Sequence, residues 1–213
     1  MWNDIDKGFQ IAFEMAWESF KIGTIPIGAC IMNESNELVA TGQNQIHAKG
    51  DGLISFHQLA HAEANAIMKV SEETVPNMHP NIRKYTLYTS MEPCPFCFGA
   101  IVMGSIKNVK FAARDRWAGA TALNDSIGYI KKKNISVEGP FERIEIVQIA
   151  IQTYFEMQER SAVVLLDAWT EDCPVGVDIG KRMFESRALD KQIKENTAAS
   201  VVYDYIFNYK LYE

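Results

Sequence analysis

Apolar residues recur at helical spacing from the start of the chain. Ile5, Phe9, Phe13, Ala16 and Phe20 fall on one stripe, so residues 4–22 predict an amphipathic helix. Asn3 or Asp4 can cap it and Gly23 closes it. Residues 25–32 predict a strand, 33–36 a polar turn and 37–41 a second strand, which together make a hairpin. Residues 42–45 end it. From 46 to 60 no period is visible, and a loop of that length is usually functional or mobile.

A helix is expected from His61 to about residue 70, then a polar loop with two prolines over 71–84. Residues 85–90 alternate and are aromatic-rich, which predicts a third strand. Met91, Glu92 and Pro93 form the turn into a helix over 94–104, and 109–113 is a fourth strand. The strand–helix–strand order over 85–113 implies a parallel pair. A short helix is expected over 125–133. Its last turn holds Lys131, Lys132 and Lys133, which reads as a solvated helix end rather than a nucleic-acid contact.

A fifth strand is expected at 143–149. Ile151, Tyr154, Phe155, Ala162, Leu165, Leu166 and Trp169 then mark a long helix. Pro174 and Gly176 suggest a break over 170–176, and a helical tail covers 186–195 and 201–210. The alternation predicts an α/β fold, a three-layer α/β/α domain on a mixed five-stranded sheet. It occupies residues 1–169, with a helical C-terminal extension over 170–213.

Composition narrows the partners. The chain has 213 residues, 47% apolar and 23% charged, which suits one globular domain with an extension. Its net charge of −6 opposes a polyanion and weighs against a long RNA or DNA partner. Of the four cysteines, Cys30 lies in an apolar run and Cys173 precedes a proline. No disulfide framework is suggested, which fits a reducing cytosol. The acidic start lacks the basic and apolar regions of a signal peptide. No apolar run approaches the roughly 18 residues of a membrane span, so a cytoplasmic protein without a membrane partner is expected.

The chemistry concentrates in His61-Ala62-Glu63 and Pro93-Cys94-Pro95-Phe96-Cys97. Cys94 and Cys97 can reach one ion from the start of a helix, where the helix end and a metal both lower a thiol's pKa. His61 stands at a second helix start. Two thiolates and one imidazole leave tetrahedral zinc an open fourth position, which a catalytic site needs. Glu63 is about 200° around a helix from His61, poor for joint chelation and better for a neighbour of an activated water. Cys94-x-x-Cys97 alone would also suit a redox pair or half of a structural zinc ribbon. No second Cys-x-x-Cys exists for a ribbon, and His61-x-Glu63 makes the combination far more specific. His47 and His57 remain open as further ligands.

The H-x-E … P-C-x-x-C combination is the signature of zinc nucleobase deaminases. With it, the chain resembles the cytidine deaminase-like superfamily, and most closely its bacterial tRNA adenosine deaminase and guanine deaminase branch. Further matching stretches are Ile25-Pro26-Ile27-Gly28-Ala29, Asn44, Leu87-Tyr88-Thr89-Ser90-Met91-Glu92 and Ala113-Arg114-Asp115. The resemblance implies a hydrolytic deaminase with one catalytic zinc ion per chain, held by His61, Cys94 and Cys97. The ion activates a water that attacks the amine-bearing ring carbon. Glu63 carries protons from that water to a ring nitrogen and to the departing amine. It also implies substrate contacts from Asn44, the Ala62 backbone, Pro26, Ile27, Gly28 and Glu92, and a homodimer.

The chain departs from the tRNA enzyme in three places. The loop after Asn44 is longer than expected. The segment Tyr154-Phe155-Glu156-Met157-Gln158-Glu159-Arg160 carries little of the basic charge that holds an anticodon loop. Residues 170–213 extend past the family core. A small nucleobase or nucleoside, purine-type favoured, is therefore expected over tRNA. A non-catalytic zinc-fold binding protein is the competing class, and the intact Glu63 argues against it.

Overall fold

The computed structural model describes residues 1–50, 52–74, 81–158 and 163–209. Its centre is a five-stranded sheet of β1 (Gly28–Met32), β2 (Leu38–Gln43), β3 (Thr86–Met91), β4 (Asn108–Ala113) and β5 (Ser136–Glu138), in the order β2-β1-β3-β4-β5. β1 runs antiparallel to β2 and β3, whereas β3–β4 and β4–β5 are parallel. The sheet is mixed, as the sequence predicts.

The two faces sort by alternation along β1. Cys30 and Met32 join a core with helices α1 (Lys7–Lys21) and α5 (Glu142–Glu156). Ala29 and Ile31 point the other way, into a core with α2 (Ala62–Thr74) and α3 (Pro95–Met103). Gly28 lets α1 lie against the sheet, since a Cβ there would collide with the Ala12 carbonyl and the Ala16 amide. Helix α4 (Gly128–Lys131) leads into β5. Four C-terminal helices follow: α6 (Val163–Asp172), α7 (Pro174–Glu185), α8 (Ala188–Lys194) and α9 (Ala199–Tyr209). Ile179, Leu189 and Tyr203 carry α7, α8 and α9 into the same core as α1 and α5.

Several boundaries differ from the sequence reading. The first helix begins at Lys7, after a 3-10 turn over Trp2–Asp4. β1 begins at Gly28, not at residue 25. The expected fifth strand at 143–149 is the first half of α5, and the fifth strand is the short Ser136–Glu138. The expected long helix is two helices, α5 and α6, with Ala162, Glu159 and Arg160 outside the described residues. The expected break at 170–176 holds the end of α6 and the start of α7. Helix α2 runs on to Thr74 and a 3-10 turn covers Ile82–Lys84, while residues 75–80 of the expected 71–84 loop lie outside the described residues.

Candidate metal and substrate site

The site forms where β3 and β4 end, at the carboxyl edge of the parallel strands, the usual ligand side of such sheets. After β3 the chain turns through Glu92 and Pro93, and Cys94 caps α3 with Pro95 at its first position. His61 immediately precedes α2, and its carbonyl accepts from the Asn65 amide 3.0 Å away. Two helix starts thus face one point, each bringing positive partial charge.

There, His61 Nδ1 lies 3.5 Å from Cys94 Sγ and 3.4 Å from Cys97 Sγ. A tetrahedral zinc ion with ordinary Zn–N and Zn–S bonds separates such atoms by about 3.5 Å. The donor set and its spacing therefore fit zinc. All three ligand atoms lie within 4.8 Å of one another, and among the described residues neither His47 nor His57 joins them. His57 Nδ1 instead accepts from the Leu59 amide. A hydrogen bond from Cys97, then one with His61, lowers the Cys94 thiol to about 4, so it is present as thiolate. The Phe96 ring meets the His61 ring edge-on, at 5.5 Å between centroids.

Glu63 is 4% exposed, and Cys97 Sγ lies 3.3 Å from its Oε2. Burial, then the neighbouring Cys94 charge, raises its carboxyl above the usual range, which suits a group that takes up and returns protons. Beside it opens a cavity of about 190 Å³. Ile25, Ile27, Ile46, Met91, Trp117, Ala118, Leu165 and Trp169 give it apolar walls. Asn44, His61, Glu63, Glu92, Cys94, Asp115, Gln152 and Glu156 complete the lining.

The structure brings some expected substrate contacts together and places others elsewhere. Asn44 lines the cavity, with Oδ1 accepting from Thr24 Oγ1 at 2.9 Å and the Ile46 amide at 3.1 Å. Ile27 lines it too, but Pro26 and Gly28 do not. The Pro26 carbonyl accepts from Gln148 Nε2 at 2.7 Å, and Gly28 serves the contact with α1. Ala62 is fully buried in the core beneath α2. Glu92 lies on the wall, yet both its oxygens are engaged within the chain. Oε2 accepts from the Asp115 amide and pairs with Arg114, while Oε1 accepts from the amide and hydroxyl of Thr121. That carboxylate holds the loop after β4 in place.

Other site residues were not singled out by the sequence. Asp115 stands in a matching stretch, but nothing there marked its place in the wall. Gln152 and Glu156 lie on the helix half-misread as a strand, and Leu165 and Trp169 beyond it. Asn65, two residues past Glu63, pins the loop that precedes α2: its Oδ1 accepts from the Ile54 amide, and its Nδ2 donates to the Ile54 carbonyl, both at 3.0 Å. The helix start at His61 was legible, but the partner of an asparagine on that helix was not.

Comparison with known proteins agrees with this geometry. A cytosine deaminase from Candida albicans is 23% identical over 169 residues, 79% of this chain and 96% of that protein. A tRNA-specific adenosine deaminase from Haemophilus influenzae is 32% identical over 120 residues, 54% of this chain and 61% of that one. A guanine deaminase from Bacillus subtilis is 35% identical over 104 residues, 49% of this chain and 60% of that one. The chain thus spans nearly all of the first and about three-fifths of the other two. Among solved structures, the guanine deaminase from Nitrosomonas europaea shares the fold, with a TM-score of 0.54 at 19% identity, covering 70% of this chain and 83% of that one. The family model for the cytidine and deoxycytidylate deaminase zinc-binding region matches residues 3–113, more than half of the chain. With both signature stretches inside that span and their side chains gathered at one point, the chain belongs to this zinc-binding deaminase family.

Proposed function

We propose that the protein is a zinc-dependent hydrolytic deaminase of a small nucleobase or nucleoside, with a purine-type heterocycle favoured. The charge of the cavity wall carries this reading. Glu63, Glu92, Asp115 and Glu156 line it, and no lysine or arginine does so among the described residues. A phosphate-bearing substrate would enter against four carboxylates, whereas a neutral heterocycle with N–H groups meets acceptors. The isoleucine and tryptophan walls suit a flat ring.

In this reading His61, Cys94 and Cys97 hold the zinc ion. Bound there, zinc supplies a water that is acidic near neutral pH. Glu63 would take a proton from the attacking water and pass it to a ring nitrogen, then take the proton of the adduct's hydroxyl and pass it to the departing amine. One carboxyl serves these steps because it alternates between its two protonation states. Asn44 presents its amide NH2 to the ring, because a backbone N–H and a hydroxyl already hold its oxygen. Residues 1–169 form the deaminase unit and 170–213 an extension, whose described residues to Tyr209 are helical and brace the unit through the shared core.

A second copy of the chain suits the outer face of α3. That helix is apolar all round, Phe96 and Met103 stand exposed on it, and Met103 meets the exposed Tyr129. A reducing cytoplasm suits the two thiolates, and no described helix is long and apolar enough to cross a membrane.

Ammonia release by zinc-loaded protein tests the reading against guanine, adenine, adenosine, cytosine, cytidine and an anticodon stem-loop. Turnover of a base or nucleoside is the expected result. Turnover of the stem-loop alone would replace it with a tRNA deaminase, the reading that similarity to the Haemophilus influenzae protein favours.

A further inference from the structure

Helix α6 lies outside the segment shared with the family model, and it roofs the cavity with Leu165 and Trp169. Trp169 is 3% exposed and fixed in a cluster with Met91, Ala113, Ile149, Cys173 and Val177. Its indole N–H donates to Asp115 Oδ1 at 3.2 Å, from 54 positions further along the chain. The same oxygen accepts from the amides of Trp117 and Ala118, each at 3.1 Å. Three donors from two segments therefore converge on one carboxylate oxygen. Asp115 Oδ2 has no hydrogen-bond partner among the described residues, and Asp115 belongs to the cavity wall.

This arrangement goes beyond what the turn needs. Two backbone amides suffice to hold an aspartate at a loop start. The indole adds a side-chain donor from a separate helix, which fixes the carboxylate plane and leaves Oδ2 for whatever occupies the cavity. An ionised carboxylate can only accept, so its partner must be a donor. A free base carries a ring N–H at the nitrogen where a nucleoside carries its sugar. Resting on the deaminase reading above, we propose that Asp115 is a specificity-determining acceptor for that ring N–H, with Trp169 as the positioning residue that aims it. The preferred substrate is then a free nucleobase rather than a nucleoside.

Asp115→Asn makes a sharp test. The three donors on Oδ1 select the carboxamide oxygen, so the new NH2 faces the cavity and meets the ring N–H donor to donor. For the base that wild type deaminates best, KM rises roughly tenfold or more in Asp115→Asn and about threefold in Trp169→Phe. In both, kcat stays within about twofold and the preference for the base over its nucleoside falls. The double variant is no worse than Asp115→Asn alone, because Trp169 acts through Asp115. Trp169→Phe keeps the ring in its cluster, and an unchanged melting temperature confirms that its effect is not unfolding.

Equilibrium dialysis with unsubstituted purine, which has a ring N–H but no amine to lose, reads recognition without turnover. Tight binding by wild type and weaker binding by both variants supports the assignment even if neither a base nor a nucleoside is deaminated, in which case only the deaminase reading falls. Trp169→Phe that matches wild type in KM and purine binding overturns the proposal, as does a double variant whose losses multiply. Wild type that neither binds purine nor deaminates a base overturns the proposal, and it overturns the deaminase reading as well only when no nucleoside is turned over either.

Discussion

The guanidinium of Arg116 grips the carboxylate of Asp172 with two nitrogens, Nε at 3.0 Å from Oδ2 and Nη2 at 2.5 Å from Oδ1. Its third nitrogen pairs with Glu171 at 3.3 Å. This fork ties the end of α6 to the loop that carries Asp115 and Trp117. It is solvent-facing, so it contributes little to global stability, yet it fixes the position of the cavity roof. Arg116→Ala is expected to leave the melting temperature nearly unchanged and to raise KM for the base by roughly two- to fivefold. Added salt should weaken wild type towards the variant. A variant with wild-type KM at low salt would show that the roof is held by Trp169 and its cluster alone.

Glu63 carries the sharpest prediction for the chemistry. Glu63→Gln keeps size and burial but cannot move a proton. It should retain zinc in equal ratio to wild type, by atomic absorption after dialysis, and lose about 10²–10⁴-fold in kcat. Loss of the metal together with activity would make Glu63 a ligand rather than a proton carrier.

The metal centre was legible because its residues fall in two short stretches of fixed spacing, each at a helix start. His61, Cys94 and Cys97 need only α2 and α3 to come together. The cavity's far wall was not, because it depends on the register of α5 and α6. Residues 143–149 contain Ile144, Ile146, Val147 and Ile149, a β-branched run that looks like a buried strand. They form a helix packed against the sheet and against α7, so apolar residues occupy most of its circumference and the period fades. The real fifth strand is three residues long, with Ser136 and Glu138 exposed, and gives almost no pattern. Pro174 and Gly176 suggested a break, yet Pro174 opens α7. Gly176 and Gly180 bring α7 against α5, where a Cβ on Gly180 would press on the Ala150 carbonyl at 2.5 Å. Gly176 and Gly180, four apart, are a packing signal, of which the break over 170–176 took in only Gly176.

Packing under the site makes a further prediction. Gly42 on β2 faces the first turn of α2, and a Cβ there would collide with the carbonyl of Ala62. That turn carries Glu63 and follows directly on His61. Gly42→Ala must push α2 outward or strain the strand, at a cost of about 1–3 kcal/mol. Zinc retention should fall with stability, since the imidazole leaves the position set by the two thiolates. A calorimetric melt and a zinc titration of the same sample check both. A variant that melts earlier yet holds zinc as tightly would show that α2 tilts about His61 rather than moving with it.

Glu145 provides a test by pH, remote from the metal ligands. It lies on α5, and its Oε1 accepts from the Arg114 amide at 3.0 Å. Burial raises its carboxyl, the nearby Asp172 and Glu142 charges push the same way, and the Arg114 hydrogen bond and charge oppose them. The folded chain therefore binds this proton more tightly than the unfolded chain does. The stability that comes from the proton is fully present below the unfolded value of about 4.3, and it is lost as pH rises through the raised folded value. At neutral pH the buried charge is a net burden. Glu145→Gln keeps an acceptor for the Arg114 amide and removes the charge, so its melting temperature at pH 7.5 should exceed wild type by about 1–2 °C. The gap should close at pH 4, where wild type carries the proton. Both proteins share the same zinc site, so metal loss in acid cancels in the difference. Wild type melting higher at pH 7.5 would mean that the ionised carboxylate's bond to the Arg114 amide outweighs its burial.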